Sequence, residues 1–207
     1  MALGSWNVKV STGGMPQKIA TAFAELNNMV GAEYTEIAYL GSQVVNGTNH
    51  AVLAEQTLIT GKDTKNVVLI IFRETNEGVT VSNIERVVES GGELGGITVD
   101  AKTDITEGAK KAFDKVLEGF VGSKIEPFAI LGTQITKGTS YIFAATITPV
   151  VPDAESKVAL VIANDMTGEL SMSDLLGTKH DAMTLGYAFT WLKRQNTSLA
   201  KPLGEWP

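Results

Sequence analysis

The sequence predicts an α+β fold of two similar units in tandem, each an antiparallel sheet wrapped on one helix, followed by an extra strand and an arm. Three observations carry this. The stretches "AYLGSQVVNGTNHAVL" (38–53) and "AILGTQITKGTSYIFA" (129–144) match at six of sixteen positions at a constant offset of 91 residues. Internal repetition of this kind marks duplicated structural units. The element order strand, helix, four strands can be read on both sides of the glycine-rich "VESGGELGG" junction. With 207 residues and 43% hydrophobic content, each half has material for a core. The expected divisions are 1–90, 91–178 and 179–207.

The elements follow in order. In "SWNVKVST", Trp6, Val8 and Val10 alternate with polar residues, the period of a half-buried strand. Gly13 and Gly14 interrupt it, and Pro16 suits a first helical turn. Ile19, Ala22, Phe23, Leu26, Met29 and Val30 then form one apolar helical face, which Gly31 ends. Strands are expected over Glu36–Val45 and Thr48–Thr60. Between them, Asn46-Gly47 offers two residues tolerant of positive φ, a strong hairpin signal. "NVVLIIF" (66–72) reads as a buried strand, and Gly78–Val88 as the next.

The second half repeats this. Ile97 and Val99 mark its first strand. Asp104 and Glu107 have capping-box spacing, and Ala109, Ala112, Phe113, Val116, Leu117 and Phe120 form the helical stripe. Strands are expected at Ile125–Thr136, Thr139–Thr148, Lys157–Ala163 and Glu169–Leu175. Beyond them, Met183, Leu185, Tyr187, Phe189 and Trp191 alternate strictly, which favours an extra strand, although Leu185, Ala188, Phe189 and Leu192 also suit a helix. The tail "TSLAKPLGEWP" reads as an extended arm.

Composition narrows the chemistry. A net charge of −6 and a pI near 5.0 argue against nucleic-acid and anionic-membrane partners, which a basic face would serve. The chain has no cysteine, which removes disulfides, thiolate metal sites and cysteine nucleophiles. No apolar run has the length of a membrane span. "MALGSWNVKV" lacks a signal-peptide pattern, so the expected location is the cytoplasm, or a virion if the protein is phage-encoded. Two histidines, His50 and His180, assemble no ligand set with their neighbours. His50 reads as a strand surface residue. Glu25, Glu33, Glu36, Asp114 and Glu118 read as solvated faces. Gly61-Lys62 lacks the upstream glycine of a phosphate loop. The sequence predicts no enzyme, no cofactor and no metal. Asn46-Gly47-Thr48 and Asn196-Thr197-Ser198 are formal glycosylation sequons, expected to be silent.

The repeated unit, with Gln43, Val44, Val45, Asn46 and Gly47 between its second and third strands, resembles the cystatin superfamily. Its members carry a Gln-x-Val-x-Gly hairpin, a glycine near the N-terminus and a second hairpin often marked Pro-Trp. Gly13 or Gly14 falls where the family's glycine lies. Departures accompany the match: "TNEG" and "MTGE" stand at the second hairpins, and the second unit reads "QITKG", with Thr136 for the valine. The resemblance implies a cystatin-like fold and inhibition of papain-like cysteine proteases, with Gly13, Gly14, Gln43, Val44, Val45, Asn46 and Gly47 binding the partner. The hairpin tip is then expected to be exposed and to tolerate a bulky residue at Gly47. The same five residues also read as an ordinary turn between core strands. From another class comes a structural reading, an assembly or decoration subunit of a phage particle, self-associating through its C-terminal segment. Both readings make the partner a protein, and the residues leave them open.

Overall fold

The computed structural model describes residues 4–59, 64–91 and 95–177. The C-terminal segment, including His180, Asp181 and Met183 to Trp191, lies outside the described residues, as do Gly61 and Lys62. Ten strands and two helices follow in the order β1 (Trp6–Ser11), α1 (Gln17–Leu26), β2 (Ala32–Val45), β3 (Gly47–Leu58), β4 (Thr64–Thr75), β5 (Gly78–Glu89), β6 (Ile97–Lys102), α2 (Glu107–Val116), β7 (Ser123–Thr136), β8 (Gly138–Pro149), β9 (Lys157–Asn164) and β10 (Leu170–Asp174). They form two antiparallel sheets, ordered β1-β2-β3-β4-β5 and β10-β9-β8-β7-β6.

This corrects the expected fold class. The chain is predominantly β, and its sheets are not wrapped on helices in cystatin-like fashion. Instead the two sheets meet face to face. One apolar cluster joins Leu40, Leu53, Val67 and Leu69 of the first sheet to Leu131, Ile142, Leu160 and Ile162 of the second. The physical reason is visible in "NVVLIIF" and "ALVIAN". Such uninterrupted apolar runs suit strands buried on both faces, whereas a sheet with one wet face needs only alternation. On β3, Ala51 and Leu53 face the other sheet, and Val52 and Ala54 face the opposite way, towards α1.

The helices lie against those outer faces. Ile19, Phe23 and Leu26 of α1 cluster with Val52, Val68 and Phe72, and Ala109 and Phe113 of α2 with Phe143 and Val161. Each helix is shorter than its apolar periodicity suggests. α1 stops at Leu26, leaving Met29 and Val30 exposed. α2 stops at Val116, leaving Phe120 and Val121 exposed. The expected capping box is also replaced: Thr106 is the N-cap, accepting from the Ala109 backbone N–H at 3.4 Å, and this supplies the partner that a first-turn donor needs.

The two units share backbone detail as well as order. Both second strands are interrupted twice against their hairpin partners, between Glu36 and Ala38 and between Tyr39 and Gly41, and again between Pro127 and Ala129 and between Ile130 and Gly132. These bulges are 91 residues apart. A Cβ on Gly41 would collide with the carbonyl oxygen of Asn7, and one on Gly132 would sit 2.5 Å from that of Thr98. The glycines therefore let the first strand of each unit approach its neighbour.

Gly41→Ala and Gly132→Ala are each expected to destabilise the protein by about 1–3 kcal/mol through forced displacement of a packed strand. Gly41→Ala is expected to cost more, because its φ of +148° also disfavours a side chain. Urea unfolding midpoints check this.

Candidate functional site

The quoted hairpin lies at one end of the first sheet. Val45 pairs with Gly47 across Asn46. Only Gly47 adopts a positive φ, +100°, so the expected pair of left-handed residues is one. Val44 and Val45 are 53% and 40% exposed, so Val45 does not point into the core. Gly47 is less free than its position at a tip suggests. A Cβ there would lie 2.6 Å from the Glu74 carbonyl oxygen, so a bulky substitution would displace β4. Arg73 Nη2 donates to the Asn46 carbonyl at 2.6 Å, a second tie from the tip to β4.

Gln43 is held by its own fold. Its Nε2 donates to the Gly4 carbonyl at 2.6 Å, and its Oε1 accepts from Asn49 Nδ2 at 3.1 Å. Gln134, 91 residues on, repeats the bond: its Nε2 donates to the Gly95 carbonyl at 2.9 Å, with the residue 1% exposed. The matched glutamines thus tie the chain entering the first strand of each unit to the hairpin beside it. Gly13 and Gly14 lie in the exposed β1–α1 connection, away from this hairpin in sequence and with open space around them.

A polar chain that sequence reasoning missed lies between the hairpin and α1. Tyr39 Oη and His50 Nδ1 are 3.0 Å apart, His50 Nε2 is 3.2 Å from Glu74 Oε2, and Lys18 Nζ of α1 donates to Glu74 Oε1 at 2.5 Å. His50 is 7% exposed, a buried bridge and not the expected surface residue. Donation from Lys18 to the Glu74 carboxylate holds Glu74 below the usual carboxylate range, with His50 adding to the effect. Burial pushes the Tyr39 phenol up, and the nearby Glu74 charge adds to that against a Ser42 hydrogen bond. The second unit lacks this side-chain series, although Lys115 Nζ of α2 donates to the Asp165 backbone carbonyl at 2.9 Å. Ile130, Tyr141 and Asp165 occupy the counterparts of Tyr39, His50 and Glu74, and the Asp165 carboxylate accepts from the Thr139 backbone N–H at 2.8 Å. No sequence signal marks the chain, because its members are spread over four elements and both histidine contacts cross strands. Its hydroxyl is buried beneath α1, an arrangement suited to fixing a helix on a sheet.

Glu36 also departs from expectation. Its Oε1 is buried without a hydrogen-bond partner, and desolvation raises its pKa. It faces a cleft between the sheets lined by Glu55, Ala101 and Lys102, where Glu55 Oε2 accepts from the Ala101 backbone N–H at 3.1 Å. Among the described residues no group of acidic or histidine side chains has the arrangement of a metal site, and no helix is long and apolar enough to cross a membrane.

The remaining surface feature is duplicated. Met29, Val30 and Ile59 are exposed at the end of the first unit opposite its hairpin tip. Phe120, Val121, Val150 and Val151 are exposed at the matching end of the second. The loops are built alike: the Ile59 N–H donates to Gly31 O at 3.0 Å, and the Val150 N–H to Gly122 O at 2.9 Å. A cleft lined by both Gln43 and Glu155–Val158 puts the first unit's hairpin at the same pole as the second unit's apolar loops. Comparison with protein-family models, with curated proteins and with solved structures finds no match for this chain.

Two expectations follow. Gln134→Ala leaves the Gly95 carbonyl without its partner and is expected to cost about 1–3 kcal/mol, more than Gln43→Ala at its more exposed site; chemical unfolding compares them. For pH, a lowered folded-state pKa at Glu74 stabilises above the unfolded-chain value and is lost as pH falls through the folded value. Glu36, raised, acts oppositely, and stability falls as pH rises from its unfolded towards its folded value. Thermal melts across the acid range are expected to flatten on their acid side in Glu74→Gln, and Glu36→Gln is expected to be stabilised relative to wild type once pH exceeds the carboxylate range.

Proposed function

We propose that this chain is a non-enzymatic assembly subunit, which binds protein through apolar surfaces at its two poles. The observation that supports this is the duplicated exposure of Met29, Val30 and Ile59 and of Phe120, Val121, Val150 and Val151. Isolated exposed apolar residues are ordinary, but clusters of them mark interaction surfaces. Here the same loop pair carries such a cluster twice. A duplicated fold with duplicated contacts can link two neighbours, which is what an assembly subunit does. Copies of the chain itself are the partner we favour, since each pole offers an apolar surface of its own.

The protease-inhibitor reading keeps one supporting observation, the exposed Val44 and Val45. Against it, both ends of the Gln43 amide are engaged within the chain, and the tip is tied to β4.

Val30→Asp and Val121→Asp are expected to weaken concentration-dependent self-association at least tenfold each, and together to leave a folded monomer, as read by sedimentation velocity. A wild type that stays monomeric at the highest soluble concentration would overturn self-assembly. Papain titrated with the wild type is expected to keep full activity, and stoichiometric inhibition would restore the hairpin reading.

A further inference from the structure

The chain's one Asn-Gly pair, Asn46-Gly47, stands at the tip of the first hairpin. An asparagine side chain can be attacked by the backbone nitrogen of the residue that follows it. Glycine leaves that nitrogen most accessible, because it has no side chain to shield it. Asn46 is exposed. Among the described residues its side-chain amide makes no hydrogen bond, whereas those of Asn27, Asn49, Asn66 and Asn164 are all held. The Asn46 amide is therefore free to turn onto the Gly47 nitrogen.

One contact bears on the reactivity of that nitrogen. Arg73 Nη2 donates to the Asn46 carbonyl at 2.6 Å. That carbonyl and the Gly47 N–H belong to one peptide group, so electron density drawn towards the guanidinium makes the N–H more acidic. When the proton leaves, the negative charge is shared with the Asn46 carbonyl oxygen, and the hydrogen bond from Arg73 becomes fully charge-assisted. A donor already in place where charge develops lowers the barrier without reorganisation. The second unit has neither residue. Lys137 and Asn164 stand 91 residues beyond Asn46 and Arg73, and Asn164 Nδ2 donates to Ser140 Oγ at 2.9 Å instead.

We propose that Asn46-Gly47 is a self-modifying site, at which Arg73 promotes cyclisation of Asn46 and its conversion to aspartate and isoaspartate. Hydroxide removes the Gly47 amide proton, and the nitrogen bonds to Asn46 Cγ. The Cγ–Nδ2 bond breaks, and Nδ2 takes a proton from water and leaves as ammonia. The product is a cyclic succinimide. Water then adds to one of its two carbonyls. Opening at Cγ gives aspartate, whereas opening at the main-chain carbonyl gives isoaspartate, with the chain now running through Cγ. In sum, an amide and a water become a carboxylate and ammonium. Either product places a negative charge beside Arg73. Isoaspartate also lengthens the main chain of a turn that Gly47 closes tightly, since a Cβ there would lie 2.6 Å from the Glu74 carbonyl oxygen. The pairing of Val45 with Gly47 is expected to be lost in that product.

The test incubates the full chain in warm, mildly alkaline buffer and follows it by intact mass, ion exchange and peptide mapping. The wild type is expected to gain the mass difference between an amide and a carboxylic acid at Asn46 before any other asparagine, with isoaspartate among the products. Asn46→Gln, which needs a larger ring, is expected to keep its amide over the same time. Arg73→Gln is expected to slow conversion about tenfold, and Arg73→Lys to keep more of the rate by retaining a cation. Slow amide exchange at Leu53 and Val68, buried in β3 and β4, shows that each variant is folded. An intact Asn46, or conversion spread evenly over the asparagines, would overturn the site. Conversion of Arg73→Gln at the wild-type rate or faster would overturn the action of Arg73, because the tie to β4 then merely restrains the turn. In the purified isoaspartate product, amide exchange at residues 44–48 is expected to be about tenfold faster than in the unmodified chain, and unchanged exchange there would contradict the lost pairing.

Discussion

Everything else in the molecule depends on the apolar contact between its two sheets. Each sheet presents Leu, Ile, Val and Ala on the face turned to the other, and those residues form one continuous cluster. Fully burying a Leu, Ile or Val contributes about 1.5–3 kcal/mol, so this layer dominates what either helix can add with its single stripe. The contact is reciprocal in form: β6 lies against β4 and β5, and β1 shares a cleft with β9 and β10. With the inner faces spent on each other and the outer faces partly covered by helices, the poles and edges are what the fold leaves for partners.

Duplication has been used unevenly. The backbone is held nearly constant, down to paired bulges, paired glycines and paired glutamine ties. Side chains on the outer faces are freer to diverge. The first unit builds the Tyr39–His50–Glu74–Lys18 chain between hairpin and helix, where the second places Ile130, Tyr141 and Phe143 in a mainly apolar layer. Geometry that both units need is preserved, and local fixing of a helix can be done with either chemistry.

Much of the strand order was legible because strand periodicity and turn residues are local signals. The 91-residue offset located the hairpins, and "NVVLIIF" announced a buried strand. What faces that strand was not legible, because a repeat fixes the order of elements within each unit and leaves silent how two units pack. The cystatin resemblance filled that gap with a helix-wrapped sheet, and the meeting of the sheets replaced it. Met29, Val30 and Phe120 misled for a related reason: their spacing continues the helical stripe, while the helices stop a turn earlier. His50 was misread since its partners, Tyr39 and Glu74, come from neighbouring strands. Gln43 was singled out for recognition, and only the structure places Gly4 within its reach.

A shared core makes a specific demand on unfolding: neither sheet can open fully without exposing the other's inner face. Residue-resolved amide exchange as a function of denaturant tests this most directly. The slowest amides of β3, such as Val52 and Leu53, and those of β8, such as Phe143 and Ala144, are predicted to converge on one opening free energy with one denaturant dependence. Two separate isotherms, with one sheet exchanging through an opening that leaves the other protected, would contradict the account.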